Sequence, residues 1–199
     1  MTHRPIEFPV EGISDGEIRL RLLVESDLPA MIEALQDPRI PLWTRVPSPY
    51  GEAEARSWWV EQARRRADAE GIDTVIVDEH DGGLLGGVGI PHLSWEEGTC
   101  ELGYWLARPG RGRGVMTRAV RLLSVWIFEN LPIARIGIIA AVANEPSKRV
   151  AERAGFAYEG VLRSYIVIKG TRHDVASYSL LRGELEDPSF RARTEIHDH

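Results

Sequence analysis

Residues 102–128 read LGYWLARPGRGRGVMTRAVRLLSVWIF and decide the fold. The apolar stretch over 99–106 has the length and side-chain types of a β-strand, and Arg108-Pro109-Gly110 ends it. A helix over about 114–129 is predicted next, because apolar side chains recur there at helical spacing. These positions are Val115, Ala119, Leu122, Leu123, Trp126 and Ile127. The segment is therefore a strand, a glycine-rich turn and a helix.

The same segment contains no acidic side chain, although the whole chain has 24 basic and 30 acidic residues and a net charge of −6. It holds five arginines, at Arg108, Arg111, Arg113, Arg118 and Arg121. Helix N-termini offer unpaired N–H groups and the positive end of the helix dipole, and glycines let a ligand approach the main chain. Arginines at that end are unfavourable without a counter-anion, so we predict that a phosphate group binds here. The alternative is a glycine-rich surface turn with solvated arginines.

The turn differs from two common phosphate-binding motifs. Its third glycine does not have the spacing of a dinucleotide-binding fingerprint, and no early βαβ unit precedes it. The chain also lacks the Gly-Lys-Ser/Thr of a P-loop. The predicted ligand therefore carries phosphate groups but is bound by neither of these two motifs.

Further strands and helices are predicted on both sides of this segment. Alternating apolar residues favour a strand over 18–24, and Ser26 or Asp27 can cap the helix that follows. The other expected elements are a helix over about 52–69, strands over 74–77, 84–93 and 133–142, a short helix from Asn144 to Gly155, and two closing strands around a turn at Lys169-Gly170-Thr171. The order β α α β β β α β α β β indicates a mixed α/β sheet.

The composition fits one globular domain, since the chain has 199 residues of which 43% are apolar and 27% charged. We expect that domain over residues 16–182, after an irregular lead-in over 1–15 and before a polar tail over 183–199. One cysteine, Cys100, excludes an internal disulfide and suits a reducing cytoplasm. The first twenty residues have no apolar core of a secretory signal, and no run reaches the ~18–20 apolar residues that span a bilayer.

Several function classes are disfavoured by the same residues. The negative net charge argues against a nucleic-acid binder that works through bulk positive charge. No metal site is expected, because the histidines show no ligand spacing. They are His3, His80, His92, His173, His197 and His199. A serine hydrolase is also disfavoured, because the chain has no Gly-x-Ser-x-Gly.

Two blocks of sequence resemble the GNAT superfamily of N-acetyltransferases. Residues 101–106, ELGYWL, followed by residues 111–117, RGRGVMT, look like its acyl-CoA motif, and the subgroup they most resemble is the ribosomal-protein N-terminal acetyltransferases (RimJ/RimL-like). The second block comprises Asn144-Glu145-Pro146-Ser147, Arg153-Ala154-Gly155-Phe156, Glu159-Gly160 and Leu162-Arg163. The resemblance covers about residues 99–163. One departure is Met116, where the family pattern usually ends in glycine or alanine.

The resemblance implies a fold and a co-substrate. The fold would be a mixed, mostly antiparallel sheet of about seven strands with helices on both faces and a splayed central strand pair. Acetyl-CoA would place its pyrophosphate on the N–H groups of residues 111–117 and its pantetheine arm in the splay. The implied cofactor-binding residues are Gly103, Tyr104, Trp105, Leu106, Arg111, Gly112, Arg113, Gly114, Val115, Met116, Thr117, Asn144 and Ser147.

Acyl transfer from a thioester to an amine needs a base, an oxyanion donor and help for the leaving thiol. Glu101 is the candidate base, or the residue that holds the base's water, because partial burial in an apolar strand would raise its pKa. A main-chain N–H near Gly103 or Tyr104 would serve the oxyanion. The resemblance assigns Ser147 as donor to the sulfur. Glu101 could instead face solvent, Ser147 could be an ordinary helix-start serine, and Asn144 also suits an N-cap.

The acceptor would be a primary amine or a chain N-terminus. Trp43, Tyr50 and the Trp58-Trp59 pair could line its entrance, although some of these aromatic residues must belong to the core. Acidic residues could attract a cationic amine, namely Glu101, Glu159 and Asp174. A noncatalytic acyl-CoA-binding regulator and a transferase of another acyl group such as succinyl stay open as alternatives. No nucleic-acid or membrane partner is expected, and a homodimer through the late strands is plausible.

Overall fold

The computed structural model describes residues 4–186 and confirms the predicted order of helices and strands. The strands are β1 (Ile13–Ser14), β2 (Ile18–Leu22), β3 (Asp73–Asp78), β4 (Leu84–Ser94), β5 (Thr99–Leu106), β6 (Arg135–Ala141), β7 (Ala157–Ile168) and β8 (Thr171–Leu181). The helices are α1 (Leu28–Leu35), α2 (Glu52–Ala67), α3 (Val115–Asn130) and α4 (Glu145–Ala154).

All eight strands of the described residues join one sheet, in the order β1-β2-β3-β4-β5-β6-β8-β7. Neighbouring strands are antiparallel except for β5 and β6, which run parallel. The mostly antiparallel α/β fold is therefore confirmed. The eighth strand is β1, whose two residues are too few to show a period of two in the sequence.

The central strands β5 and β6 separate after a short common stretch. Their register covers Thr99–Arg135, Cys100–Ile136 and Glu101–Gly137, whereas β5 continues to Leu106 and β6 to Ala141. On their outer sides both strands stay paired, β5 with β4 and β6 with β8. The predicted splay is confirmed, and it opens a wedge in the middle of the sheet.

Helices cover both faces of the sheet, as predicted. On one face α3 and α4 pack over a large core, in which Leu123 and Ile127 of α3 are fully buried. On the other face α1 and α2 enclose a smaller core with Val75, Val77 and Tyr50. The amphipathic spacing of α3 explains the first core, because its apolar side chains share one side of the helix.

Both ends of the domain pack against the large core. Ile6 is 2% exposed, and the ring of Phe8 lies 4.8 Å from that of Trp126 in an edge-on contact. The lead-in therefore supplies core side chains as well as β1. Of the predicted polar tail, residues 183–186 belong to a short 3₁₀ turn, and Leu185 contacts the large core. The rest of the tail, 187–199, lies outside the described residues.

Asp27 lies at the N-cap position of α1, as predicted, but its carboxylate does not cap that helix. It accepts two hydrogen bonds from Arg21, each 2.7 Å long, and one from the Val24 N–H. Between residues 4 and 186 no helix is both long and apolar enough to span a membrane.

Candidate active site

A cavity of about 1140 Å³ runs from the wedge between β5 and β6 to the inner side of α2. It brings together side chains and main-chain atoms that are far apart in the sequence. The predicted site residues that line it are Trp43, Tyr50, Glu101, Gly103, Tyr104, Trp105, Leu106, Arg111, Met116, Asn144 and Ser147. Gly112, Arg113, Gly114, Val115 and Thr117 are not among its lining residues and belong to the turn and the first residues of α3.

The turn before α3 depends on two glycines for its backbone conformation. Gly112 and Gly114 have φ angles of +75° and +74°, in the left-handed region that side chains disfavour. A Cβ at either position would meet no atom within 4 Å. Glycine is therefore favoured here by the positive φ angle and not by a lack of space. Gly114 is the N-cap of α3 and provides no side-chain cap. The first N–H groups of α3 therefore keep their capacity to bind an anion.

Three of the five arginines of this segment already have carboxylate partners in the chain. Arg111 bonds Asp37 at 2.7 Å, Arg113 bonds Asp78 at 3.0 Å, and Arg118 bonds Asp15 at 2.7 Å. For these three arginines the expectation that a ligand must supply the counter-charge was wrong, because aspartates from distant parts of the sequence supply it. The evidence for an anion site therefore rests on the main-chain N–H groups.

Asp37 fastens the turn to the segment that follows α1. Hydrogen bonds from Arg39 and Arg111 hold the pKa of its carboxyl well below the usual range. Arg111 also donates to the Leu106 carbonyl at 2.9 Å. Through these contacts the Arg111 side chain stabilises the turn itself.

Glu101 lies on β5 at the last residue that pairs with β6. Its side chain is half-buried at the cavity wall, and burial raises the pKa of its carboxyl although His92 and Arg45 pull it down. The predicted pKa direction is confirmed, and the alternative of a fully solvated carboxylate is wrong. A carboxylate with a raised pKa beside a cavity is better suited to accept a proton than a solvated carboxylate.

Tyr104 and Ser147 connect β5 to α4 across the wedge. The Tyr104 Oη and Ser147 Oγ atoms are 2.9 Å apart, and either can donate. The Tyr104 hydroxyl also donates to the Ser147 carbonyl at 3.2 Å. Burial raises the pKa of Tyr104 to about 12, so its hydroxyl keeps its proton at neutral pH. Asn144 accepts from the Ser147 N–H at 3.4 Å, which confirms its predicted N-cap role.

The far end of the cavity is lined by aromatic and apolar side chains. Tyr50 is 5% exposed and packs in the smaller core, and burial raises its pKa to about 12. Trp43 makes an edge-on contact with His173 at 6.0 Å. Trp58 lines the cavity whereas its neighbour Trp59 packs against the smaller core. This end is therefore formed by α2, the loop before it and the β7–β8 hairpin.

Two of the acidic residues expected to attract an amine lie elsewhere. Glu159 is held by Arg135 at 2.7 and 2.6 Å, and that guanidinium lowers its pKa to about 2. Asp174 accepts a hydrogen bond from the Ser164 N–H at 2.7 Å. Neither lines the cavity, so that expectation was wrong for both. The carboxylates that do line it are Glu54, Glu61, Asp73 and Glu101.

Asp73 and Arg65 were missed in the sequence. Asp73 begins β3, lines the cavity and bonds Arg65 of α2 at 2.6 Å. Burial raises the pKa of Asp73 to about 6, although the guanidinium opposes this. Among residues 4–186, no cluster of three or more His, Cys, Asp or Glu side chains could hold a metal ion.

Comparison with known proteins shows which family this chain belongs to. Residues 17–157 match the family model described as an acetyltransferase (GNAT) domain. The chain belongs to the GNAT acetyltransferase family. A curated relative, "Putative ribosomal N-acetyltransferase YdaF" of Bacillus subtilis (strain 168), is 40% identical over 123 residues. That match covers 62% of this chain and 66% of the relative, so it spans just under two thirds of the relative's length.

Solved GNAT structures share the fold at low sequence identity. The microcin C7 self-immunity acetyltransferase MccE, in complex with acetyl-CoA and AMP, superposes with a TM-score of 0.80 at 22% identity, over 87% of this chain and 98% of that one. RimL, a ribosomal L7/L12 alpha-N-protein acetyltransferase in complex with coenzyme A, has a TM-score of 0.75 at 21% identity, with the same coverage of 87% and 98%. At these identities the likeness concerns the GNAT fold alone.

Proposed function

We propose that this GNAT protein is an N-acyltransferase that moves an acetyl group from acetyl-CoA to a primary amine, either a protein N-terminus or a small amine. One observation carries the proposal: a single cavity joins the wedge beside the α3 turn to Glu101 and then to an aromatic entrance. Donor and acceptor can therefore meet at one carboxylate from opposite ends.

The donor end fits a pantetheine diphosphate. The pyrophosphate would bind the N–H groups of residues 111–117, where the N-cap offers no competing side chain. The pantetheine arm would lie in the wedge against residues 103–106 of β5 and beside Asn144. There β5 has no ladder partner on the β6 side, so its N–H and C=O groups can bond the arm.

The reaction follows from three groups at the cavity wall. Glu101, directly or through a water, removes a proton from the acceptor amine, whose nitrogen then attacks the thioester carbon. A main-chain N–H at Gly103 or Tyr104 stabilises the oxyanion that forms. When the C–S bond breaks, Ser147 donates a proton to the sulfur. Tyr104 can replace that proton, because its hydroxyl is 2.9 Å from Ser147 Oγ. The nitrogen releases its second proton to solvent as the amide forms, and Tyr104 regains a proton from solvent.

The acceptor end favours a cationic amine on an exposed chain. Of the four carboxylates that line the cavity, Glu61 and Asp73 are paired with Arg64 and Arg65, which leaves Glu54 and Glu101 to face an amine. Trp43 and Trp58 lie at the entrance with Leu42, which is 58% exposed. A protein N-terminus combines an ammonium group with flanking side chains that such an entrance could contact. The names of YdaF and RimL support this acceptor class. The lone thiol, buried at Cys100, is in keeping with a cytoplasmic enzyme.

A panel of acceptors tests the proposal. We expect thiol release from acetyl-CoA with at least one N-terminal peptide, polyamine or aminoglycoside, measured in parallel with succinyl-CoA as donor. Peptides blocked at the N-terminus serve as matched controls. Binding of acetyl-CoA without turnover on any amine would instead support a noncatalytic regulator. Faster turnover with succinyl-CoA would show that succinyl, and not acetyl, is the preferred acyl group.

Valine at either of the two turn glycines should weaken coenzyme A binding strongly. Gly112→Val and Gly114→Val force a β-branched residue into the left-handed region, which displaces the N–H groups of the turn. We expect the Kd for coenzyme A, measured by calorimetry, to rise at least ~10-fold, as loss of about 1.4 kcal/mol would cause. Gly82→Val is the matched control, because Gly82 has a φ of +73° and open space but lies in the β3–β4 turn. Unchanged affinity in both turn variants would refute the phosphate site.

Removal of the Glu101 carboxyl should lower the rate more than it lowers binding. We expect Glu101→Gln to reduce kcat by ~10²–10⁴-fold, the usual contribution of a general base. Because the pKa of Glu101 is raised, wild-type activity should fall as the pH drops through that raised value, and the variant should lack this acidic limb. Glu97→Gln, at an exposed position in the β4–β5 turn, is the control. An unchanged pH profile in Glu101→Gln would exclude the carboxyl from the chemistry.

We also propose a homodimer in which β7 pairs with β7 of a second copy. The supporting feature is that β7 is an edge strand of 12 residues with exposed large side chains. These are Tyr158, Val161, Leu162, Tyr165 and Val167. Light scattering should give the mass of two chains for the wild type and of one for Val161→Lys. A wild-type mass of one chain would refute the dimer.

A further inference from the structure

A β-bulge interrupts β4 beside the residues that the proposed chemistry uses. Gly89 pairs with Gly103 and His92 pairs with Glu101, so Ile90 and Pro91 together oppose Leu102 alone. The bulge lies next to the point where β5 leaves β6 after the Glu101–Gly137 pair. Leu102, between Glu101 and Gly103, therefore has a one-to-one ladder partner on neither β4 nor β6.

Arg65 holds this bulge from the last turn of α2. Its Nη2 atom donates to the carbonyl oxygens of Ile90 at 2.8 Å and Pro91 at 3.1 Å. Its Nη1 atom donates to Asp73 Oδ2 at 2.6 Å. The Arg65 side chain is only 12% exposed, which makes these charge-assisted bonds stronger than surface pairs. The two bulge carbonyls thus obtain a side-chain partner.

Two glycines lie so close to the Arg65–Asp73 pair that a side chain at either position would occupy the same space. A Cβ on Gly71 would lie 2.4 Å from Arg65 Nη2 and 2.2 Å from the Ile90 carbonyl oxygen. A Cβ on Gly89 would lie 2.4 Å from Asp73 Oδ1. Any larger residue at either position would collide with the pair, so the sequence is adapted to it.

The pair also lies in register with the reacting groups. Asp73 pairs with Gly89, which pairs with Gly103, so the three residues form one row across the sheet. Glu101 is two residues from Gly103 and therefore projects from the same face. Asp73 and Glu101 both line the cavity.

We infer that Arg65 and Asp73 are positioning residues that hold the β4 bulge and thereby fix Glu101 and the N–H donors near Gly103 relative to each other. The inference rests on the proposed acyltransferase function. Neither residue touches the reacting atoms; they act through the main chain of β4 and β5. Misplacement by about 1 Å is enough to cost ~100-fold in rate, so a loose bulge should be visible in kcat.

The test compares Arg65→Lys and Asp73→Asn with Arg64→Lys. Lysine keeps a charge opposite Asp73 but lacks the planar fork that reaches Asp73 and two carbonyls together. Arg64 is the matched control, because it occupies the same helical turn and makes only surface pairs with Glu61, Asp68 and Glu70. The measurements are kcat, the Kd for coenzyme A, and hydrogen exchange of the amides over residues 88–104.

We expect kcat to fall at least ~10-fold, up to the ~100-fold of a 1 Å misplacement, in both Arg65→Lys and Asp73→Asn. The Kd for coenzyme A should stay within twofold, and exchange over 88–104 should rise. Arg64→Lys should match the wild type in all three. If Arg65→Lys has the same hydrogen exchange and the same kcat as the wild type, the inference is wrong. It is also wrong if kcat falls only in proportion to the fraction of molecules that still bind coenzyme A, because the variant is then partly unfolded. If the wild type acylates no amine, the proposed function fails, and the exchange measurement alone decides whether Arg65 holds the bulge.

Discussion

The separation of β5 from β6 after the Glu101–Gly137 pair is the constraint on which the rest of the molecule depends. Main-chain groups that leave a ladder inside a domain must find other partners, because a buried unpaired amide is costly. In this fold the space between the strands reaches the cavity, where a ligand can supply such partners. The remaining elements keep the gap open: β4 supports β5 from outside, β8 supports β6, and α3 and α4 close the face behind.

Charge at the site is arranged mainly by pairing within the chain. Arg111, Arg113 and Arg118 each meet an aspartate, so much of the positive charge of this segment is balanced within the chain. In the proposed function the phosphates would bind oriented N–H groups, which need no side chain to move. Glu101 is different, because no hydrogen-bonding arginine lowers its pKa and burial raises it. The chain thus pairs these three arginines with carboxylates and leaves the Glu101 carboxyl without a hydrogen-bonding arginine.

Much of this organisation was predictable from the sequence, and the failures share one cause. The period of apolar residues predicted α3, and the glycine–arginine turn together with residues 144–163 predicted the family and its splayed sheet. The partners Asp15, Asp37 and Asp78 were not predictable, because periodicity carries no information on contacts across the fold. The same holds for the hydroxyl contact between Tyr104 and Ser147, which are 43 residues apart. One signal was present for the bulge: Pro91 lies within a strand pattern, where proline is confined to edges and bulges.

The contact between Tyr104 and Ser147 has a consequence for the width of the wedge. Main-chain pairing between β5 and β6 has ended at this point, so these two side chains help to set how far β5 lies from the start of α4. A change in either hydroxyl would therefore alter the local width without disturbing any ladder. Tyr104 is the position at which this distance can be changed while the proposed proton donor Ser147 is kept.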